Sequence, residues 1–298
     1  MNALIDPLAR ANAVARSPHH DRASVVAALS YLTPTIERPH SYACEPPPGT
    51  PWENGTYEAL QATIADARYA PESPRIDREG FELQDAPTAV TDFLDARMVE
   101  SVYYPEACEL ALAVTGATRA FVFDHLVRKR EHDRIALTFG RRGADGRAAA
   151  NGRIHNDYTE ASGSKRLGMV LGDREAASVG RYAIVNVWRS IKGPVFDTPL
   201  AVCDARSVMV SDLVVSEVRY PRRTGEIYAL PHSPGHRWSY FSRMDRHEAL
   251  VFKQYDSQVS GVARFTPHAA FDLPDIPPDA PLRESIELRC LVIYGQQA

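Results

Sequence analysis

Arg153-Ile154-His155-Asn156-Asp157-Tyr158-Thr159 sets an imidazole and a carboxylate one residue apart. On an extended backbone, residues i and i+2 project to the same side. His155 and Asp157 can therefore close on one ion together. A second histidine from elsewhere would complete a set of two imidazoles and one carboxylate, which leaves positions open on Fe(II) for a co-substrate and oxygen. The pair needs context, because a chain with 10 His and 38 Asp+Glu produces this spacing by chance.

Downstream of this stretch the chain turns β-rich. Strands are expected at 181–190 (RYAIVNVWRS), 200–204, 225–230, 236–242, 250–255, 263–271 and 286–294, with Pro, Gly or Asp between them. Strands separated by turn signals, without alternating helices, point to a sandwich or barrel rather than a parallel α/β sheet. Upstream, Tyr104–Thr115 has Pro105 in its first turn and Gly116 just past its end, which predicts a helix. A strand centred on Phe121-Val122-Phe123 comes next, then a charged run at 128–134. The Gly/Arg/Ala-rich segment 140–152 reads as a plain surface loop or a lid over His155. Residues 1–100 read as an irregular N-terminal extension packed on a core of residues 101–298, with no separate domain boundary. Within the extension, Ala23–Leu32 suits a strand or helix and Tyr57–Arg68 a helix. Cys44 to Pro51 cannot be regular, and His19-His20 belongs to a tail.

The length of 298 residues suits one large domain, and 44% apolar content supports a substantial core. A net charge of −4 provides no basic field for a phosphate backbone, which argues against nucleic acid as a partner. No apolar run approaches a membrane span, and residues 1–22 lack a signal-peptide core, so a cytoplasmic location is expected. Cys44, Cys108, Cys203 and Cys290 form no CxxC pair and are expected as free thiols, mostly buried.

His232, His236, His247 and His268 are the candidates for the third metal ligand. His268 is favoured because of the residues downstream of it. Arg283-Glu284-Ser285 opens the last strand after a proline-rich turn, and Arg283 and Ser285 share a face. A guanidinium beside a hydroxyl is a good receptor for a carboxylate. His236 followed by Arg246 has spacing that also passes, and Arg289 is an alternative anchor on the face of Arg283. Asn186 and Trp188 share a face with Tyr182 and Ile184, either lining a pocket or packed in the core. Trp238 reads as a substrate contact or a packed strand residue, His125 as structural or supporting, and Asp256 as a turn residue.

The ordered set of a His-x-Asp, a distal His and an Arg-x-Ser opening the final strand resembles the Fe(II)/2-oxoglutarate-dependent dioxygenases. More narrowly, the chain resembles the asaB-type hydroxylase/desaturase family, which includes the CmcJ component of cephamycin methoxylation. The matching stretches are Phe123 to His125, Arg153 to Thr159, Asn186 to Arg189, Pro199 to Asp204, His236 to Trp238, Tyr255 to Ser257, Phe265 to His268 and Arg283 to Arg289, and the resemblance as a whole spans roughly residues 20–295. The resemblance implies a mainly β double-stranded β-helix (a cupin-like jelly roll) with flanking helices. It implies Fe(II) on His155, Asp157 and His268, with 2-oxoglutarate and O2 as co-substrates. Arg283, helped by Ser285, would hold the far carboxylate of 2-oxoglutarate, and Asn186 would bond a keto-acid oxygen. Tyr158, Trp188 and Trp238 would lie near a small-molecule substrate, hydroxylated or desaturated in secondary metabolism. Two other readings stand beside this one: a non-catalytic jelly-roll binding protein, and a metal-dependent hydrolase or isomerase that does not use 2-oxoglutarate.

Overall fold

The β-branched and aromatic runs at Tyr182–Ser190 and Glu284–Ile293 form two neighbouring strands, buried along nearly their whole length. They pair antiparallel from Ser285 opposite Ser190 to Ile293 opposite Tyr182. A computed structural model describes residues 23–130 and 148–295. In chain order its strands are β1 (Ser24–Leu32), β2 (His40–Tyr42), β3 (Tyr57–Asp66), β4 (Phe81–Asp85), β5 (Arg119–Lys129), β6 (Ala148–Ala149), β7 (His155–Asn156) and β8 (Tyr182–Ser190). They continue with β9 (Leu200–Cys203), β10 (Val214–Tyr220), β11 (Arg223–Ala229), β12 (Trp238–Tyr240), β13 (Glu248–Asp256), β14 (His268–Ala270) and β15 (Glu284–Ile293).

Two sheets result, in the orders β1-β3-β12-β9-β14-β7-β11-β10-β2 and β4-β13-β8-β15-β5-β6. They curl against each other as the expected double-stranded β-helix. At one end of the interior, Phe81, Trp188, Leu250 and Phe252 of the smaller sheet meet Leu200 and Val202 of the larger. At the other end, Tyr158, Tyr182, Ile184, Tyr255 and Leu291 form a second apolar cluster. The outer face of the smaller sheet is covered by the helix Tyr104–Thr115, with Ala107 and Ala111 packed in one cluster with Val185, Val187, Leu288 and Cys290. Gly116 closes that helix in the left-handed region at φ 68°. Among the described residues, no helix is long and apolar enough to cross a membrane.

The segment expected to be a helix at 57–68 is instead strand β3. Glu58, Ala59, Leu60 and Gln61 are good helix formers, but tertiary pairing overrides them. β3 pairs with β1 from Leu32 opposite Tyr57 to Ser24 opposite Ala65, and Ile64 packs in one cluster with Leu29 and Trp238. Residues 23–100 are thus not an irregular arm: β1 and β3 extend the larger sheet, and β4 edges the smaller. The strand expected at 263–271 shrinks to His268–Ala270, and the one at 236–242 to Trp238–Tyr240. The helix Glu160–Leu171, capped by Thr159, and strand β10 were not anticipated. His19, His20 and most of segments 128–134 and 140–152 lie outside the described residues. The four cysteines are free thiols; Cys203 and Cys290 are buried, Cys44 and Cys108 half-buried.

Strand alternation in β3 gives a direct test. Ile64→Ala is expected to lower the unfolding free energy by about 2–5 kcal/mol. Its exposed neighbour Thr63→Ala is expected to change it by about 0.5 kcal/mol or less. Urea titration of both variants checks this; equal effects would contradict the strand assignment.

Candidate active site

Strand register assembles the site. β7 and β14 are short neighbours in the larger sheet, and His268 lies directly opposite His155. The two rings therefore sit side by side, with centroids 4.4 Å apart. Just past β7 the chain presents Asp157, whose Oδ1 lies 3.4 Å from His155 Nε2. One potential ligand atom from each of His155, Asp157 and His268 lies within 4.8 Å of the others.

The surroundings aim these groups. His155 Nδ1 donates to the Arg153 carbonyl at 2.8 Å, so Nε2 is the ring nitrogen turned toward Asp157. Gln254 ties the two ligand segments together. Its Oε1 accepts from Asp157 N at 2.7 Å, and its Nε2 donates to the Thr266 carbonyl at 3.1 Å. Burial and the neighbouring His155 push the His268 imidazole down to about 3, so it stays neutral and able to ligate. Burial works against the Asp157 charge, but Arg289 and the contact with His155 overcome it and hold the carboxyl well below its usual range.

The smaller sheet supplies the opposite wall in three cross-strand rows. Asn186 of β8, Arg289 of β15 and Asp124 of β5 form the first. Asn186 Nδ2 and Arg289 Nε both donate to Asp157 Oδ2 at 2.9 Å. Arg289 also donates to Asp124 Oδ2 and to Glu287 Oε1, each at 3.0 Å. Trp188, Glu287 and Leu126 form the second row; Ser190, Ser285 and Arg128 form the third. Arg283 lies just before β15. Its backbone N–H donates to the Asp197 carboxylate, its Nη1 donates to the Thr198 carbonyl at 2.8 Å, and its guanidinium stands 5.6 Å from the Trp188 ring centre.

A cavity of about 10 Å³ lies among these groups, with His155, His268, Arg283 and Arg128 in its lining. Two larger surface grooves, of about 430 and 310 Å³, include no residue of the His-Asp-His cluster. Arg283 Nε and Ser285 Oγ are buried without a hydrogen-bond partner, and burial pushes the Arg283 guanidinium down to about 10. Such groups call for an acceptor. A carboxylate would satisfy both, while two imidazoles and a carboxylate suit Fe(II). The residues present therefore fit both iron and 2-oxoglutarate.

Several expected residues fall elsewhere. His236 bonds Asp212 at 3.2 Å and stacks on Tyr31, away from the cluster. His232 also packs on Tyr31, and His247 is not in the cluster. Arg246 donates to the Val90 carbonyl, and Arg289 serves Asp157. Trp238 does not reach the site. It pairs in register with Cys203 while His268 pairs with Val202, so the two side chains lie on opposite faces of the sheet. Trp238 donates to Tyr31 Oη at 2.7 Å within the outer cluster. Tyr158 packs in the second interior cluster and Trp188 walls the cavity. Asn186 gives one of its two amide N–H donors to Asp157, and its buried Oδ1 has no partner. His125 bonds Tyr104 at 2.8 Å, and Asp256 is buried in an ion pair with Lys253 and Arg181 rather than standing at a turn. Sequence reasoning missed Arg128, Gln254 and Glu287; only register reveals them.

Comparison with known proteins gives the same picture. A family profile described as an oxidoreductase/YMDC permease-like domain matches residues 29–293. The hydroxylase/desaturase efuI of Hormonema carpetanum is 34% identical over 258 residues, covering 81% of this chain and 86% of the relative. The hydroxylase/desaturase asaB of Aspergillus flavus is 44% identical over 132 residues, 39% of this chain and 57% of the relative. Among solved structures, the iron and alpha-ketoglutarate-dependent endoperoxidase NvfI superposes with a TM-score of 0.79 at 28% identity, covering 92% of this chain and 100% of that one. The chain belongs to the asaB-type hydroxylase/desaturase family of Fe(II)/2-oxoglutarate-dependent dioxygenases.

Proposed function

We propose that the protein hydroxylates or desaturates a small organic molecule in secondary metabolism, with His155, Asp157 and His268 as the iron ligands. The observation that carries this is the convergence of the three ligand atoms within 4.8 Å of one another, beside a cavity lined by His155, His268 and Arg283, whose Nε is unpartnered. His155 Nε2 and His268 are the imidazole ligands. Asp157 contributes through Oδ1, because Oδ2 is taken by Asn186 and Arg289. Arg283 and Ser285 receive the far carboxylate of 2-oxoglutarate, and Trp188 shields the chain between its two ends. The burial of these groups excludes water and strengthens every charge contact inside. Bound there, Fe(II) with 2-oxoglutarate and O2 supplies an oxidant able to take hydrogen from an unactivated C–H bond, with succinate and CO2 released. We place the reaction in the cytoplasm and read residues 1–100 as an extension that completes the catalytic core.

His268→Ala and Asp157→Ala are expected to abolish Fe(II) binding while the far-UV spectrum is kept, and His236→Ala to bind as wild type. Chelator competition measures this. Metal retained by the first pair and lost by the third would move the centre to His236.

Succinate release from 2-oxoglutarate alone is expected to be slow, to rise when the true substrate is added, and to match product one to one. Screening small metabolites for this stimulation identifies the substrate. A mass gain of one oxygen means hydroxylation; a loss of two hydrogens means desaturation. A metabolite bound tightly and returned unchanged, with no succinate, would favour a binding protein.

A further inference from the structure

Arg128 borders the cavity beside Arg283, yet neither the iron position nor the proposed 2-oxoglutarate contacts use it. Its place comes from register. Ser285 of β15 lies opposite Arg128 of β5, while Ile286 lies opposite Val127. Ile286 and Val127 pack in the outer cluster under the helix, so Ser285 and Arg128 turn to the inner face. Among the described residues, the hydrogen bond of its side chain goes from Nη1 to the Ala149 carbonyl, at 3.0 Å. That uses one of the five donors of a guanidinium.

Two guanidinium groups at one end of so small a cavity repel each other, and the charge of Arg128 acts against that of Arg283. The buried carboxylate nearest in register, Glu287, sits in the next row and accepts from Arg289 rather than from Arg128. Asp197 meets Arg283 through its backbone N–H. What the end of the cavity lacks is a carboxylate placed between Arg128, Arg283 and the unpartnered Ser285 hydroxyl.

We infer that Arg128 is a second anchor for the far carboxylate of the co-substrate and selects a dicarboxylic keto acid over a monocarboxylic one. This rests on the co-substrate placement proposed above. A carboxylate has two oxygens and about four lone-pair sites, so it can serve both guanidinium groups and a hydroxyl together.

The test is calorimetric titration of the Mn(II)-loaded protein without O2, using 2-oxoglutarate and 2-oxopentanoate. The second has the same keto-acid head with a methyl in place of the far carboxylate. Arg128→Met is expected to weaken 2-oxoglutarate about 10- to 100-fold, the range for charged hydrogen bonds, and to leave 2-oxopentanoate within about twofold. Arg128→Lys keeps the charge but loses the planar fork, and is expected to lose part of the preference. It also keeps the test decisive if the methionine variant fails to fold. Wild-type 2-oxoglutarate affinity in both Arg128 variants, with a large loss in Arg283→Met, would overturn the inference and leave the co-substrate placement standing. Equal loss of both keto acids in an Arg128 variant would overturn it by making Arg128 structural. Wild-type affinity in the Arg128 and Arg283 variants alike would sink the inference and the placement together.

Discussion

The site depends on one carboxylate oxygen. Asp157 Oδ2 accepts from Asn186 and from Arg289, both at 2.9 Å. Asp157 comes just after a strand of the larger sheet, whereas Asn186 and Arg289 are directly paired on the smaller. The oxygen thus joins the two walls of the jelly roll at the height of the histidine pair. It also leaves Oδ1 as the Asp157 oxygen beside His155. Asn156 supports the same corner from below, donating to the Gln254 and Tyr158 carbonyls at 2.8 Å.

Burying this much charge is costly, and the arrangement shows how the cost is contained. Arg289 faces three carboxylates, those of Asp157, Glu287 and Asp124. Attraction to Asp157 and Glu287 holds its guanidinium protonated although burial opposes the charge. Removing one partner from such a set typically costs about 3–5 kcal/mol, because the remaining charge is left uncompensated. The polar layer lies between two apolar ends, with Trp188 and Phe252 on one side and Tyr182 and Leu291 on the other. Close packing at both ends limits how far the polar groups can shift. Catalysis by preorganised charge needs this rigidity.

Much of this was legible in the sequence, and the losses have a common cause. His155 and Asp157 could be read as a pair because two residues on an extended backbone decide it. Arg283 and Ser285 were readable for the same reason. His268 was favoured over His236 on the residues downstream of it, but nothing local shows that it lies opposite His155. That register involves a pairing partner more than a hundred residues away. Asn186 and Arg289 were noticed but given other tasks, because nothing local states that they face each other across β8 and β15. Arg128 went unread for the same reason: its partner Ser285 is remote in sequence. The β3 misreading has a different origin, a helix-favouring composition overruled by β1. The Glu160–Leu171 helix carried a usable signal in Thr159 and Glu160.

The central claim is that one cavity holds iron at the histidine end and a keto acid reaching Arg283. Anaerobic addition of Fe(II) and then 2-oxoglutarate, with visible absorption as the readout, tests both halves at once. The account predicts no band with Fe(II) alone, and a metal-to-ligand charge-transfer band when 2-oxoglutarate is added. That band is expected to vanish in Asp157→Ala and to need far more 2-oxoglutarate in Arg283→Met. A band of unchanged strength in Asp157→Ala, or none in the wild-type protein with iron bound, would contradict it.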